Sequence, residues 1–388
     1  MSVPDFIAAS FAGRYIAFNQ PNSHDQVRMP QHALRPSPEP QALPYRSSAL
    51  DLGSHRFAAR ADAPPEPLAE LLEASGTTAF VVVRRGQVAW EFYPNGGAPD
   101  RPQRCFSITK SVASALLGLA ARAGCIDSLQ TPIGHWLPEL RDPGVAALTL
   151  EHLLQMRSGI RFREGLWPWR DEPRTYYATD LRQRLLRCRI GEPVGAFFHY
   201  NDWHPQLLSL VLERATGQAV STWLQQQLWD PLGAEHAGSM MVDRDDEGAV
   251  AHLESGLTAS ALDLAKFGQL YLQDGVARGR RLLPQGWVNS ATAPDGARRH
   301  PAWFAYYEGR PWGRFLANGR IYYQGMWWGH QIDEARHGFF AMGVLGQHIY
   351  VCPDLEIVIV RLSDRFPPGL WWPPVFRRVA EEVAGLEP

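Results

Sequence analysis

The first chemistry this chain suggests lies in Ser107-Ile108-Thr109-Lys110, a serine and a lysine three residues apart. On a helix that spacing puts both side chains on one face, within reach of each other. A serine hydroxyl becomes a nucleophile when a base takes its proton, and a desolvated lysine of depressed pKa can be that base. The pattern S-x-x-K arises often by chance, but composition sharpens it. Of 38 lysines and arginines, two are lysines, Lys110 and Lys266. A sequence that writes its basic residues almost entirely as arginine has a lysine here, where a guanidinium could not serve because it does not deprotonate.

Two further elements could join this pair. Tyr200 lies in Phe197-Phe198-His199-Tyr200-Asn201-Asp202. A phenol beside an ammonium loses its proton more easily and can pass it on to a leaving group, although a tyrosine among aromatics is more often plain core. Ala341-Met342-Gly343-Val344-Leu345-Gly346-Gln347 carries two glycines. They either mark a turn or bulge or let a strand edge approach substrate, its backbone N–H completing an oxyanion hole with that of Ser107.

Other patterns carry less. Asp243-Arg244-Asp245-Asp246-Glu247-Gly248 with Glu254 nearly has calcium-loop spacing. The residues ahead of it, with Pro231, Gly233 and Gly238, do not form the entering helix, so a solvated acidic turn is the better reading. No H-E-x-x-H occurs, and His199 with His204 lacks helical ligand spacing, so no metal is expected. A Ser-centred G-x-S-x-G elbow is also missing. Cys105, Cys125, Cys188 and Cys352 form no CxxC pair and read as buried thiols in a reducing compartment.

The elements that must hold these residues can be sketched from pattern. Prolines at 30, 36, 38, 40, 44, 64, 65 and 67 make residues 1–75 an extended arm with short helices. Ala79 to Val83 and Val88 to Phe92 read as a hairpin around Arg84 to Gln87. Ser107 opens a helix closed near Gly124. Helices are expected at 150–156, 180–186, 205–215, 220–228 and 263–272. Gln347 to Val351 and Glu356 to Leu362 form a last hairpin, and 374–383 a final helix. Strands from both ends of the chain around a helical middle imply one α/β lobe (76–124 and 266–388) with a helical lobe (125–265) inserted, and a site at their interface.

With 388 residues and a formal net charge of -2, the chain carries no footprint for nucleic acid, and the expected partner is a small molecule. Phe6 to Gly13 lacks the basic flank and cleavage site of a signal peptide, and no run is apolar enough to span a membrane. A cytoplasmic protein is expected. Oligomeric state is not legible.

In order along the chain, these elements resemble the serine β-lactamase and penicillin-binding-protein-like superfamily, nearest its class C-like branch with β-lactamase-fold carboxylesterases and 6-aminohexanoate-dimer hydrolases. Ser107 to Ser111 matches S-x-T-K-S, Leu148 to Gly159 the L-T-x-x-x-L-L-x-x-x-S-G segment, Tyr200-Asn201-Asp202 the Y-x-N position, Leu207 to Gly217 the helix after it, and Leu257 to Leu270 the segment ending D-L-A-x-F-G. The resemblance spans about Thr78 to Asp364. It implies the β-lactamase/DD-peptidase-like fold, an antiparallel sheet flanked by helices. It also implies Ser107 as acylated nucleophile, Lys110 as base or electrostatic partner, Tyr200 as proton-transfer group, oxyanion N–H groups at Ser107 and Val344 beside Gly343, and no cofactor.

Two departures qualify the substrate. Ala341 and Met342 replace the cationic and hydroxyl side chains that bind a β-lactam or peptide carboxylate, which ranks esters and small unstrained amides above antibiotics. Asp202 replaces the usual asparagine, and a carboxylate near Lys110 would favour its ammonium and leave Tyr200 to accept the proton. Trp167, Trp169, Tyr176, Tyr177, Trp327 and Trp328 are candidates for an apolar substrate pocket. The alternatives are a β-lactamase, a D-amino-acid peptidase, or a catalytically silent binding protein of this fold.

Overall fold

Valine and isoleucine runs from both ends of the chain meet in one antiparallel sheet, as β-branched residues favour. In the computed structural model, which describes residues 10–18, 20–47, 50–58, 63–295, 301–310, 313–316, 319–365 and 371–386, this sheet has seven strands. Their order is Ile321–Gln324, Trp327–Gln331, His337–Gly343, Gln347–Cys352, Ile357–Ser363, Thr77–Arg84 and Gln87–Phe92. The N-terminal hairpin joins the C-terminal strands through Thr77–Arg84 beside Ile357–Ser363, with Val82 opposite Ile359.

Alternation along the strands decides what covers each face. His348 and Tyr350 meet Phe376 of the closing helix Trp372–Gly385. Their neighbour Ile349, with Val358, faces Gly268 of the helix Ala261–Leu272 on the other side. A β-carbon at Gly268 would come within 2.5 Å of a Val358 methyl, so glycine permits this close approach. The lobe boundary expected at 265/266 falls inside this sheet-packed helix.

Beside the sheet lies the helix Ile108–Arg122, whose residues Ile108 to Ala120 are all buried. It packs against Trp203–Thr216, which ends at Gly217 in the left-handed conformation (φ 67°). The helical segments at Leu150–Leu154, Leu181–Leu185 and Val220–Leu224 fall within the expected stretches. The last runs on as a π turn, Gln225–Trp229.

The N-terminal arm is more structured than proline content suggests. Phe11–Phe18 is helical, and Gln31–Leu34 pairs antiparallel with Gly238–Met241 in a second, four-stranded sheet with Leu257–Ala259 and Gln103–Arg104. Proline breaks helices and removes donors, but it leaves the residues between free to pair. Of the apolar stretch Phe6 to Gly13, residues 6–9 lie outside the described residues. Among the described residues no helix is long and apolar enough to cross a membrane.

Candidate active site

Ser107 occupies the N-cap position of Ile108–Arg122, yet its side chain caps nothing. A serine there ordinarily accepts from the first turn; this hydroxyl instead accepts a hydrogen bond from Lys110 Nζ at 2.7 Å. The backbone just before it is forced, because Phe106 has φ 48°, a left-handed value unusual for a bulky residue. Two hydroxyls fix the turn. Thr109 Oγ1 donates to the Phe106 carbonyl at 2.6 Å and accepts from the Leu257 N–H at 3.1 Å, while Ser111 Oγ donates to the Met326 carbonyl at 2.7 Å. The hydroxyls flanking the serine–lysine pair thus tie the nucleophile helix to both neighbouring strand regions.

Lys110 is 1% exposed, and its ammonium has three acceptors. Besides Ser107 they are the Glu254 carbonyl at 2.9 Å and Asp202 Oδ1 at 2.8 Å. Burial alone would push the lysine down, but Asp202, Tyr200 and Glu254 outweigh it, so its pKa is raised. Of the two roles expected for Lys110, base or electrostatic partner, this direction favours the charged partner, in line with the effect expected of a carboxylate at Asp202. Asp202 is itself raised by burial against the pull of Lys110.

Tyr200 completes the cluster. Its phenol lies beside Ser107 and Lys110, and Lys110 Nζ is 4.8 Å from its ring centroid. Burial raises the phenol's pKa against the lowering effect of Lys110, so the group is a neutral phenol at pH 7. Trp328 stacks on the ring at 5.6 Å and Tyr323 meets it edge-on, while the Tyr200 N–H donates to Tyr307 Oη at 3.0 Å. Asn201 stabilises the following helix by accepting from the Trp203 N–H at 2.8 Å.

The Ser107 end opens into a cavity of about 340 Å³. Gly343 and Val344 line it opposite Phe106 and Ser107. A β-carbon at Gly343 would collide with the Cys105 carbonyl, so glycine is what lets this strand end close on the serine turn. Cys105 itself is buried and its thiol pushed up to about 12, which removes it as a nucleophile.

The aromatic candidates divide. Tyr176, Tyr177 and Trp328 line the cavity. Trp327 does not: it is 1% exposed and packs on Phe267, Tyr271 and Phe339, because adjacent strand residues face opposite sides of the sheet. Trp167 and Trp169 also stay outside, stacked on each other at 5.2 Å and 62% and 54% exposed, while Leu166 beside them lines the wall.

Several site residues escaped the sequence reading. Glu254, noticed there only as a calcium-loop position, is buried behind Lys110 and accepts from Ser255 at 3.0 Å and from Gln206, with His252 Nδ1 at 2.8 Å. Burial opposes its charge, yet His252 and the Lys110 ammonium hold its carboxyl below the usual range. Asp243, the loop's first position, is buried rather than solvated and accepts from the Leu181 and Val250 N–H groups, both at 2.8 Å. Glu164 and Glu172 face the cavity. Burial, then the nearby Asp202 charge, pushes Glu172 up to about 7, against a 2.7 Å bond from the Gly165 N–H. Among the described lining residues none is lysine, arginine or histidine. No local pattern marks these carboxylates, because only the tertiary fold brings them together.

A serine–histidine contact, Ser158 with His204 Nε2 at 2.5 Å, lies outside the cavity. Burial drives His204 down to about 3, so it is a neutral bridge from the helix Trp203–Thr216 to the loop at Ser158.

The family model described as Beta-lactamase matches residues 68–381. The chain belongs to the beta-lactamase family. Among the curated relatives of this beta-lactamase family chain, the 6-aminohexanoate-dimer hydrolase of Paenarthrobacter ureafaciens is 29% identical over 311 residues, 76% of this chain and 75% of that one. Esterase EstB of Burkholderia gladioli is 29% identical over 214 residues, 49% of this chain and 54% of the esterase. Among solved structures, the "Putative 6-aminohexanoate-dimer hydrolase from Bacillus anthracis" aligns with a TM-score of 0.79 at 22% identity, covering 99% and 98% of the two chains. A class C beta lactamase from Rhodobacter sphaeroides aligns at 0.55 and 17% identity, over 81% of this chain and 96% of that one. The fold is therefore that of β-lactamases and penicillin-binding proteins, and these two curated relatives are by name a 6-aminohexanoate-dimer hydrolase and an esterase.

Proposed function

We propose that the protein is a serine hydrolase that forms an acyl-enzyme at Ser107 and acts on small esters or unstrained amides. The observation that carries this is the Ser107 Oγ to Lys110 Nζ contact at 2.7 Å, with Tyr200 beside both, at the wall of a largely apolar cavity. A silent binding protein has no need of such a set.

The protonation states suggest the proton path. A neutral phenol accepts a proton only as it gives its own away. As Ser107 Oγ attacks the substrate carbonyl carbon, its proton passes to Tyr200 and the phenolic proton moves in the same step to the leaving oxygen or nitrogen, which carries it away when its bond to carbon breaks. The Lys110 ammonium stabilises phenolate character on Tyr200 during the transfer. The carbonyl oxygen, now an oxyanion, is received by the Ser107 and Val344 N–H groups. Water then repeats the sequence on the acyl-enzyme, releasing the acid and restoring Ser107.

The missing cation at Ala341-Met342, and a lining that contains Glu164 and Glu172 but, among the described residues, no basic side chain, disfavour anionic β-lactams. The test is pre-steady-state hydrolysis of p-nitrophenyl butyrate by wild type and Ser107→Ala. A nitrophenol burst stoichiometric with enzyme, lost in the variant, supports the reading. Equal behaviour of the two proteins, with no acyl adduct on Ser107 by mass spectrometry, overturns it in favour of a binding protein.

A further inference from the structure

Residues before 68 lie outside the family match, yet three of them, Tyr15, Gln20 and Pro21, line the cavity. The segment that carries them is pinned at several points. Arg14 donates from its guanidinium to the Ala178 carbonyl at 2.6 Å, Tyr15 Oη donates to the Leu166 carbonyl at 2.9 Å, and Tyr176 Oη donates to the buried Asp25 at 3.0 Å. Phe18 is buried against Tyr177, and Tyr15 meets the same ring edge-on at 6.2 Å. An apolar cluster separate from the main core joins Phe18 and Met29 to Tyr176, Tyr177 and Phe106, with Tyr15 and Leu345 packed on it. Phe106 precedes the nucleophile and Leu345 follows Val344. The arm is thus fastened to both sides of the place where substrate must sit.

A wall fixed this way sets a size limit. Tyr15 is held by its hydroxyl at one end and by ring contacts with Phe11 and Tyr177 along its length, so it cannot yield to a longer substrate without breaking them. We propose that Tyr15 is a specificity-determining residue that closes one wall of the cavity over Ser107 and limits the length of the substrate accepted. The proposal rests on the acyl-enzyme reading above.

The experiment uses the full chain as wild type, Tyr15→Ala and Tyr15→Trp, each titrated with a small fluorophosphonate to count reactive Ser107. Two ester series are then measured, p-nitrophenyl acetate to octanoate and ethyl to octyl acetate. In Tyr15→Ala the long-to-short ratio of kcat/KM rises at least about tenfold in one series, the discrimination typical of a methylene or two in an apolar pocket. In Tyr15→Trp it falls in that same series. Ratios within about twofold of wild type in both series and both variants, with full labelling, overturn the proposal and leave the parent reading standing. Failure of the fluorophosphonate to label wild type overturns the parent reading and this one with it. Should Tyr15→Ala fail to fold, Tyr15→Trp, which keeps an aromatic ring on the cluster, decides alone by the direction of its ratio.

Discussion

Replacing Asp202 by Asn tests whether a carboxylate keeps Lys110 charged, the feature that moves the proton-transfer role to Tyr200. Asn keeps the size and an acceptor oxygen but removes a charge 2.8 Å from Nζ. At an effective dielectric of about 20, that charge attracts the ammonium by about 6 kcal/mol before desolvation is counted. Opposite charges at this range shift a pKa by about 1–3 units, or about 1.4–4 kcal/mol. The Lys110 pKa is therefore expected to fall by that amount in the variant. Composition offers a direct assay: with two lysines in the chain, selective 13C labelling at Cε gives two resonances, assigned by Lys266→Arg. Wild-type Lys110 should not titrate below the ordinary lysine value of about 10.4, while in Asp202→Asn it titrates 1–3 units lower than in wild type. The sign carries into stability. A lysine pKa raised on folding contributes stability that is complete below the unfolded value and is lost as pH rises through the folded one. Asp202→Asn should thus weaken the protein most at neutral pH and least at strongly alkaline pH. Titration of Lys110 at the same pH in both proteins would refute the role of Asp202. Wild-type titration well below 10.4 would refute the held cation itself and return Lys110 to the role of base.

Two other outcomes follow from the cavity. Glu172, pushed up to about 7, ionises across the neutral range, so the KM of an amine-bearing ester should fall as pH rises from 6 to 8 relative to that of a neutral ester. Glu172→Gln should flatten this difference, and a persistent pH-dependent gap in that variant would exclude Glu172 as its source. Gly343→Ala forces a β-carbon against the Cys105 carbonyl and should cost about 1–3 kcal/mol by overpacking. Because the strain falls on the strand end leading to Val344, kcat should drop more than KM rises; a variant with wild-type melting temperature and kcat would show that this approach is not tight.

Local pattern made part of this protein legible. Ser107 and Lys110 are three residues apart on one helix, so their contact is a property of helical geometry and needs no fold to be foreseen. The hairpins, the nucleophile helix and its end near Gly124 likewise follow from period and turn chemistry, and the ordered motifs carry the family. What lay beyond reach depends on pairings distant along the chain. Whether Lys110 acts as base or charged partner stayed open on local pattern, because it turns on Asp202 and the Glu254 carbonyl, 92 and 144 residues away. Trp327 and Trp328 are indistinguishable as a dipeptide, and only the sheet's facing sends one to the core and one to the cavity. Tyr15 joins the cavity wall through a hydrogen bond spanning 151 residues, and Glu164 reaches it on a loop and Glu172 on the short helix Asp171–Tyr176. Sequence by itself therefore determined which groups could react and what local geometry joins them. Tertiary structure alone decided their charge states and the shape of what they can receive, because burial and Coulomb interactions depend on distance in space, not along the chain.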